Sequence, residues 1–374
     1  SPYTIDLRLT NWMGYYAAVH TELDGDFQSL FINSVHEQYN FLSRHLEKDI
    51  LGNHYFEDLK ALVICASFFN DETVLHTALK VFKAECKEEI LPDGMHFELS
   101  PMYHKLIFEG VIRVAVALKD RGLDDHEVDG YLQPMLDAAW SLEEGLDRIP
   151  LFNDAGNNVA KSLQALVSAC KRHFDITPEY KSRFVDSGIY IFKQNDWKLI
   201  VDAGQPGPAY IPGHAHCDAM SFELFKAGKP VIVNCGTYAY QCKERSFFRS
   251  TAAHNTVMVN DTEQSQCWGA FRMAKRSKVN VVSVSENSIV IELIDQCGQA
   301  VKRTIQLEKN MKVTDESSGN KLTAFVHLIR EINMTFEGDA KTTGQQYAPE
   351  YGELVSLEAV KYEGNGKISV EICI

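Results

Sequence analysis

The stretch Gly188-Ile-Tyr-Ile-Phe-Lys193 marks the point at which the chain changes from a helical to an extended pattern. Its β-branched and aromatic residues favour a strand, and a second such run, Trp197-Lys-Leu-Ile-Val-Asp202, follows after a short turn. Ahead of both runs, the proline of Ile176-Thr-Pro178 stops a helical pattern. The sequence therefore predicts an α+β multidomain protein, with residues 1–178 helical and residues 179–374 built from strands.

The part before this point has the spacing of amphipathic helices. Apolar residues recur every three or four positions, so that one face of each segment can be buried. The pattern occurs at Phe27, Leu30, Phe31, Val35 and Tyr39, and again within residues 55–69, 72–88, 101–120, 126–145 and 157–173. We expect six or seven helices, joined as successive antiparallel neighbours.

The part after this point is rich in β-branched residues and turns. Strand-like runs lie at residues 188–193, 197–202, 230–233, 255–259, 278–283, 288–293 and 301–307. Turn-rich loops between them favour a large antiparallel β-sandwich.

Composition narrows the classes of function. The chain has 374 residues, a formal net charge of -14 and a pI near 5.4. This balance argues against a nucleic-acid partner and a polybasic membrane patch, although a local basic cleft could hold an acidic ligand. The longest strongly apolar run, residues 61–69, is too short for a membrane span. The nine cysteines are odd in number and include no CxxC pair, so most are expected to be free thiols.

Four clusters of polar side chains stand at the ends of predicted segments. In the first, Asn53, His54 and Glu57 lie three or four positions apart at a helix start, so they can share a face. They also suit a plain helix cap, in which Asn53 accepts first-turn amides and Glu57 faces the positive helix end.

The second cluster follows the turn Pro92-Asp-Gly94 and leads into a helix. It contains Glu98, Tyr103, His104 and Lys105. A lone tyrosine at a helix start is often a packing residue whose hydroxyl is satisfied, so the cluster alone leaves structural and catalytic roles open.

The third cluster is the stretch PGHAHCDAMSFEL, residues 212–224, and the fourth is FRSTAAHNT, residues 248–256. His214 and His216 stand two positions apart and point to the same side of an extended segment. They can bind metal, transfer protons or bond to backbone groups, and a metal needs further ligands. Candidates for these are Asp218, Asn234 and His254.

Taken together, the motifs resemble the heparinase II/III-like polysaccharide lyases over the range from about Tyr3 to Asn260, in the same order and at similar spacing. They are GNHYFEDLKAL (52–62), LPDGMHFELSPMYH (91–104), PLFNDAG (150–156), GHAHCDAMSFEL (213–224), VNCGTYAY (233–240) and FRSTAAHNTVMVN (248–260). The resemblance implies an N-terminal incomplete (α/α) toroid followed by a C-terminal antiparallel β-sandwich, with the active cleft between them.

It also implies cleavage of a uronic-acid-containing polysaccharide, such as heparin, heparan sulfate or alginate, by β-elimination. A proton leaves C5 beside the uronate carboxylate, whose growing charge must be stabilised, while another group protonates the departing O4. By resemblance, Asn53 neutralises the carboxylate with help from His54. Tyr103 and His214 share the base and acid roles, with Tyr103 favoured as the donor to O4.

Other positions are expected to bind substrate or metal. The expected substrate-binding residues are Glu57, Glu98, Lys105, Tyr238, Tyr240, Arg245 and Arg249. The resemblance implies a structural zinc or other divalent metal at His216, Asn234 and His254. Asn234 stands where relatives have an aspartate, so this ligand set carries less charge.

Two other functions stay open. The chain could keep the lyase fold and only bind glycan, as an inactive binding or scaffold protein. A glycoside hydrolase would need two paired carboxylates, and nothing in the sequence pairs Glu57, Glu98 or Asp154. Relatives usually carry further helices before the position of residue 1, so an open toroid is expected. Free thiols favour a reducing compartment, whereas the resemblance favours periplasm or secretion.

Overall fold

The computed structural model describes all residues, 1–374, and its helical part precedes its strands. The helices of this part are α1 (Pro2–Val19), α2 (Gly25–Leu42), α3 (Gly52–Phe69), α4 (Glu72–Glu89), α5 (Pro101–Asp120), α6 (His126–Asp129), α7 (Leu132–Glu143) and α8 (Leu163–Phe174). There are eight rather than six or seven, because Gly130 ends α6 and divides the segment near residues 126–145. The last helix starts later than expected because Ser162 caps it, accepting the amide of Ala165.

Alternate helices lie side by side in an open arc. α1, α3, α5 and α7 are neighbours in this order, and α2, α4 and α6 pack against that row. α3 has neighbours on both sides and buries 14 of its 18 residues. A cavity of about 650 Å³ is lined by α1, α3, α5 and α8. None of the helices is both long and apolar enough to cross a bilayer.

The strands begin after residue 182. They are β1 (Arg183–Phe184), β2 (Ile189–Gln194), β3 (Trp197–Asp202), β4 (Phe222–Lys226), β5 (Lys229–Ile232), β6 (Val257–Val259), β7 (Gln266–Trp268), β8 (Arg272–Ala274), β9 (Lys278–Val284), β10 (Ser288–Ile294), β11 (Ala300–Leu307), β12 (Asn310–Leu328), β13 (Met334–Glu337), β14 (Asp339–Tyr347) and β15 (Val355–Cys373), with a short helix α9 (Arg245–Phe248) between β5 and β6. All seven expected strands are present, with ends shifted by at most two residues.

The two longest strands close the sandwich. β12 and β15 pair antiparallel from Asn310 opposite Cys373 to Leu328 opposite Glu358. The first half of β12 also pairs with β11, and its second half pairs with β6. Because β12 changes neighbours along its length, the sheet curls over and encloses an apolar core of 30 buried residues. β7 and β8 form a separate hairpin.

A buried ion pair ties this core to the segments that carry the histidine motifs. Arg303 on β11 donates to Asp315 on β12 through two bonds of 2.7 and 2.8 Å. Its remaining nitrogen donates to the carbonyls of Met220 at 2.9 Å and Asn255 at 2.8 Å. The guanidinium thus makes four hydrogen bonds to three residues, and residues 213–224 and 248–260 are anchored on the sandwich.

Replacing Arg303 with methionine is expected to lower the free energy of unfolding by about 3–5 kcal/mol, because Asp315 would keep a buried charge without its partner. Lys302→Met is the matched control, since Lys302 pairs with Glu316 at the surface and its loss should change stability by less than about 1 kcal/mol. Denaturant unfolding followed by circular dichroism measures both. Equal effects of the two changes would contradict the prediction.

Candidate active site

Asp154, in the loop between α7 and α8, is fully buried and lies at the centre of the site. Its carboxylate accepts hydrogen bonds from His214 Nδ1 at 2.9 Å and His216 Nε2 at 2.8 Å. The guanidinium of Arg245 donates to both of its oxygens, and the Thr237 hydroxyl donates at 3.1 Å. One carboxylate thus joins three segments of the β-domain to a loop of the helical domain.

The charges around Asp154 decide which groups carry protons. Burial alone would raise the pKa of Asp154, but Arg245, His216 and His214 hold it well below its usual range. Burial would lower the pKa of His214, but Glu98 and Asp154 raise it above its usual value. Because Nδ1 of His214 faces the carboxylate, neutral His214 keeps its proton there and leaves the lone pair on Nε2.

Tyr103 packs against His214, with ring centroids 4.1 Å apart. It lies in the first turn of α5, where the Ser100 hydroxyl accepts its amide at 3.2 Å and donates to the Asp154 carbonyl at 2.7 Å. The hydroxyls of Tyr103 and Tyr240 are hydrogen-bonded at 2.8 Å. Burial raises the pKa of Tyr103 well above its usual value, so its phenol is neutral and can donate a proton.

Asn53 lines the same cavity as Tyr103, a space of about 200 Å³ at the start of α3. The turn before it places Leu51 and Gly52 in the left-handed region, with φ of 62° and 55°. A positive φ at residue 52 favours glycine, and a Cβ there would lie in contact with Ile211 at 3.4 Å. Asn53 does not cap α3, whose N-cap is Leu51. Its amide therefore faces the cavity instead of the helix end.

His54 lies outside the lining of this cavity. Its Nδ1 pairs with Glu47 at 2.8 Å and its ring stacks on Tyr3 with centroids 4.3 Å apart. Tyr3 itself lines the cavity, as does Glu57, which is paired with Lys60. The structure therefore keeps Glu57 at the site and places His54 behind Tyr3, where it supports the wall and does not help Asn53 directly.

Glu98 and Lys105, expected to bind substrate, are buried away from the cavity. The Glu98 carboxylate lies 3.9 Å from His96 Nδ1, and burial raises the pKa of Glu98. Lys105 donates to Glu143 at 2.6 Å because its face of α5 packs on α7. Glu98 nevertheless acts on the site through its charge, which raises the pKa values of His214 and Tyr103.

Arg245 and Arg249, also expected to bind substrate, are buried and engaged within the protein. The terminal nitrogens of Arg245 donate to Asp154, and its Nε donates to the Ala270 carbonyl at 2.9 Å. Arg249 donates twice to the Ala215 carbonyl, at 3.2 and 2.9 Å. Both arginines therefore position the loop that carries the two histidines and leave no free guanidinium for a sugar.

The two candidate tyrosines differ in placement. Tyr240 reaches the site, with its ring centroid 5.8 Å from that of His214. Tyr238 packs against a cluster of buried apolar residues. The motifs did not indicate Phe271. Its ring centroid lies 5.7 Å from that of His214 and 5.1 Å from that of Tyr240, so it covers one side of the histidine.

The residues assigned to a metal fit a zinc poorly. His216 Nδ1 and His254 Nε2 lie 3.2 Å apart, but the amide oxygen of Asn234 accepts the Asn255 amide at 3.1 Å. The Arg245 guanidinium lies 3.4 Å from His216 Nε2 and adds positive charge. No group of three or more His, Cys, Asp or Glu is arranged to hold a metal ion. The zinc implied by the resemblance stays a prediction.

Several residues of the site were missed from the sequence. Asp154 was considered only as a carboxylate of a hydrolase, although its place in the motif PLFNDAG of the ordered set was an available signal for this site. Lys60, Arg113 and Lys161 line the cavity but come from three distant segments, so no local pattern groups them.

Two family models divide the chain where its structure does. The model for the heparinase II/III N-terminus matches residues 6–182, and the model for the heparinase II/III-like C-terminal part matches residues 176–364. The chain belongs to the heparinase II/III-like family.

Solved structures support the fold of this heparinase II/III-like chain. One heparinase III has a TM-score of 0.79 at 16% identity and is matched over 67% of its chain, with all of this chain covered. The heparan sulfate lyase HepC of Pedobacter heparinus has a TM-score of 0.71 at 18% identity, with coverage of 100% and 68%. At these identities the likeness shows the α toroid and β-sandwich.

Two curated relatives are named heparin-sulfate lyase. The one from Pedobacter heparinus is 27% identical over an alignment of 263 residues that covers 62% of this chain and 39% of that protein. The one from Bacteroides stercoris is 23% identical over an alignment of 269 residues that covers 63% of this chain and 40% of that protein. The matched part of this heparinase II/III-like chain thus spans about two fifths of these relatives' length.

Asp154→Asn is expected to lower the pKa of His214, because removal of the carboxylate charge disfavours the imidazolium. Titration of the imidazole signals of isotope-labelled protein by NMR measures the shift. Asp147→Asn makes the same charge change at an exposed position and should leave the His214 titration unchanged. An unchanged His214 titration in Asp154→Asn would refute the electrostatic coupling.

Proposed function

We propose that the chain is a polysaccharide lyase that cleaves a uronate-containing acidic polysaccharide of the heparin and heparan sulfate class by β-elimination. The observation that carries this proposal is the convergence of three groups: Asn53 and Tyr103 line one cavity, and Tyr103 packs on His214 at 4.1 Å. The relatives named heparin-sulfate lyase support the substrate class.

In the proposed reaction, Asn53 holds the substrate carboxylate. Its amide donates to an oxyanion without titrating, and the charge that develops there as the C5 proton leaves is stabilised in a water-poor site. Asn53 is 8% exposed, so its dipole acts at low dielectric. A neutral amide thereby makes the C5 proton more acidic at any pH of the assay.

The proton transfers follow from the charges already described. His214 Nε2 takes the proton from C5, and Asp154 stabilises the resulting imidazolium through Nδ1. As the C4–O4 bond breaks and the C4–C5 double bond forms, Tyr103 donates its proton to O4. The phenolate left behind accepts the hydrogen bond of Tyr240. The proton that His214 took from C5 then passes to the Tyr103 phenolate, which restores both groups.

Three cations of the helical domain suit an acidic substrate. Lys60 and Arg113 line the cavity and are partly neutralised by Glu57 and Glu109. Lys161 lines it as well and is exposed. A net charge of -14 repels a polyanion at long range, so local cations at the cavity are needed to offset that repulsion.

Purified protein is expected to release products with the ultraviolet absorbance of a 4,5-unsaturated uronate from heparin, heparan sulfate or another uronate polymer. Tyr103→Phe and His214→Ala should each reduce this rate at least about 100-fold by removing a proton-transfer group. Tyr15→Phe, at an exposed tyrosine of α1, is the control and should retain the rate.

Binding to every uronate polymer without any absorbance change would instead identify an inactive glycan-binding protein. New reducing ends without absorbance would identify a hydrolase. Either result would refute the lyase proposal.

Lys161→Gln is expected to raise KM for the polymer by roughly 3- to 10-fold with little change in kcat, because the lysine would bind ground and transition states alike. The effect should weaken with added salt, which screens exposed charges. Lys171→Gln, on α8 and paired with Asp175 at the surface, is the matched control. An unchanged KM, or an equal rise in the control, would remove Lys161 from the binding surface.

A further inference from the structure

Two thiols meet beside the active site. The sulfurs of Cys217 and Cys267 lie 3.7 Å apart, although the residues are 50 positions apart in sequence. Cys217 directly follows His216 and is buried, whereas Cys267 on β7 is half-buried. The Cys217 sulfur also lies 3.3 Å from the Ser265 carbonyl, which fixes its side chain toward β7.

The half-buried thiol belongs to a hairpin that covers the catalytic histidine. We call residues 266–274, which comprise β7, β8 and the turn between them, the flap. Phe271 at its turn packs on His214 with centroids 5.7 Å apart. Arg249 holds the flap through the carbonyls of Ala270 at 3.3 Å and Arg272 at 3.1 Å. These hydrogen bonds are only partly buried, so they open more readily than core contacts.

We propose that Cys217 and Cys267 form a reversible disulfide that fastens the flap to the loop carrying His214 and His216. A disulfide bond is about 2 Å long, so the two sulfurs need to approach by less than 2 Å. Rotation of the two cysteine side chains and a small shift of the flap supply this movement.

The chemistry balances with a small-molecule disulfide as the oxidant. The more accessible Cys267 attacks one sulfur of that molecule as a thiolate and releases one thiol, leaving a mixed disulfide. Cys217 then attacks the Cys267 sulfur and releases the second thiol. Two protein thiols are oxidised and one small disulfide is reduced to two thiols. The hydrogen bond from Cys217 lowers the pKa of Cys267, burial opposes this, and the positive charge of Arg249 favours it.

The disulfide would also restrict access to the catalytic histidine. Only 12% of the His214 side chain is exposed, since Phe271 and Tyr240 cover it. A polymer must displace the flap to reach Nε2, and a flap fastened at Cys267 opens less often. This consequence rests on the proposed lyase function, whereas disulfide formation does not.

The test uses the protein with Cys297→Ser and Cys373→Ser, because both of these thiols are exposed and would form unwanted bridges. After treatment with oxidised glutathione, the mass should fall by about 2 Da, since two hydrogens leave without a retained adduct. Peptide mapping should show the Cys217–Cys267 crosslink. Hydrogen exchange of residues 266–274 should slow, and a thiol reductant should reverse every change.

Cys267→Ser in the same background should lose the crosslink and keep fast exchange in the flap. Cys242→Ser is the matched control, since its thiol is also half-buried and donates to the Ala239 carbonyl; it should behave like the parent. Absence of the crosslink in the parent, or a crosslink with unchanged exchange of the flap, would overturn the proposal.

Turnover provides a separate readout. On a polymer that the reduced protein cleaves, oxidation should lower kcat/KM by roughly 5-fold or more, through slower opening of the flap. An unchanged rate in crosslinked protein would refute the restriction of access. Mass and exchange require no substrate, so failure of the lyase proposal leaves the disulfide test fully decisive.

Discussion

The buried carboxylate of Asp154 is the group on which the rest of the site depends. A charge without solvent is stable only if it is paired and hydrogen-bonded, and removal of one partner of such a pair costs about 3–5 kcal/mol. Asp154 meets this requirement with Arg245, Thr237 and two histidines from the other domain. The helical loop and the sandwich therefore have to dock before the site exists, and the same contacts that join the domains orient His214.

Burial at this junction separates the roles of two neighbouring groups. The low dielectric keeps Tyr103 protonated, since burial raises its pKa, while the fixed anion of Asp154 helps to raise the pKa of His214. Two groups with different proton affinities therefore stand side by side, as the proposed proton transfers to O4 and from C5 require. Arg245 adds a positive charge 3.4 Å from His216 Nε2 and thereby helps to balance the Asp154 anion.

Much of the fold and of the candidate site could be predicted because both depend on patterns within short stretches of sequence. The seven strands expected between residues 188 and 307 are present, since their β-branched runs bury one face in any sheet. β12 and β15 were not predicted: Lys312 is exposed and Lys361 half-buried, but Asp315 occupies a buried position of β12 that an alternating pattern would give to an apolar residue. Asn53, Tyr103 and His214 were found through motif order, whereas Lys161 belongs to no motif.

The sequence by itself determined the two-part architecture and the family resemblance, and it indicated candidates for proton transfer, because short-range periodicity and ordered motifs are properties of the chain. Only the tertiary structure decided what the long side chains contact. Arg245 and Arg249 were expected in the cleft, but both are buried. Arg245 donates to the Asp154 carboxylate and Arg249 to a backbone carbonyl, while Lys105 pairs with a glutamate inside the helical domain. Their targets lie far away in sequence, so the partner of each charge is fixed only when the segments fold together.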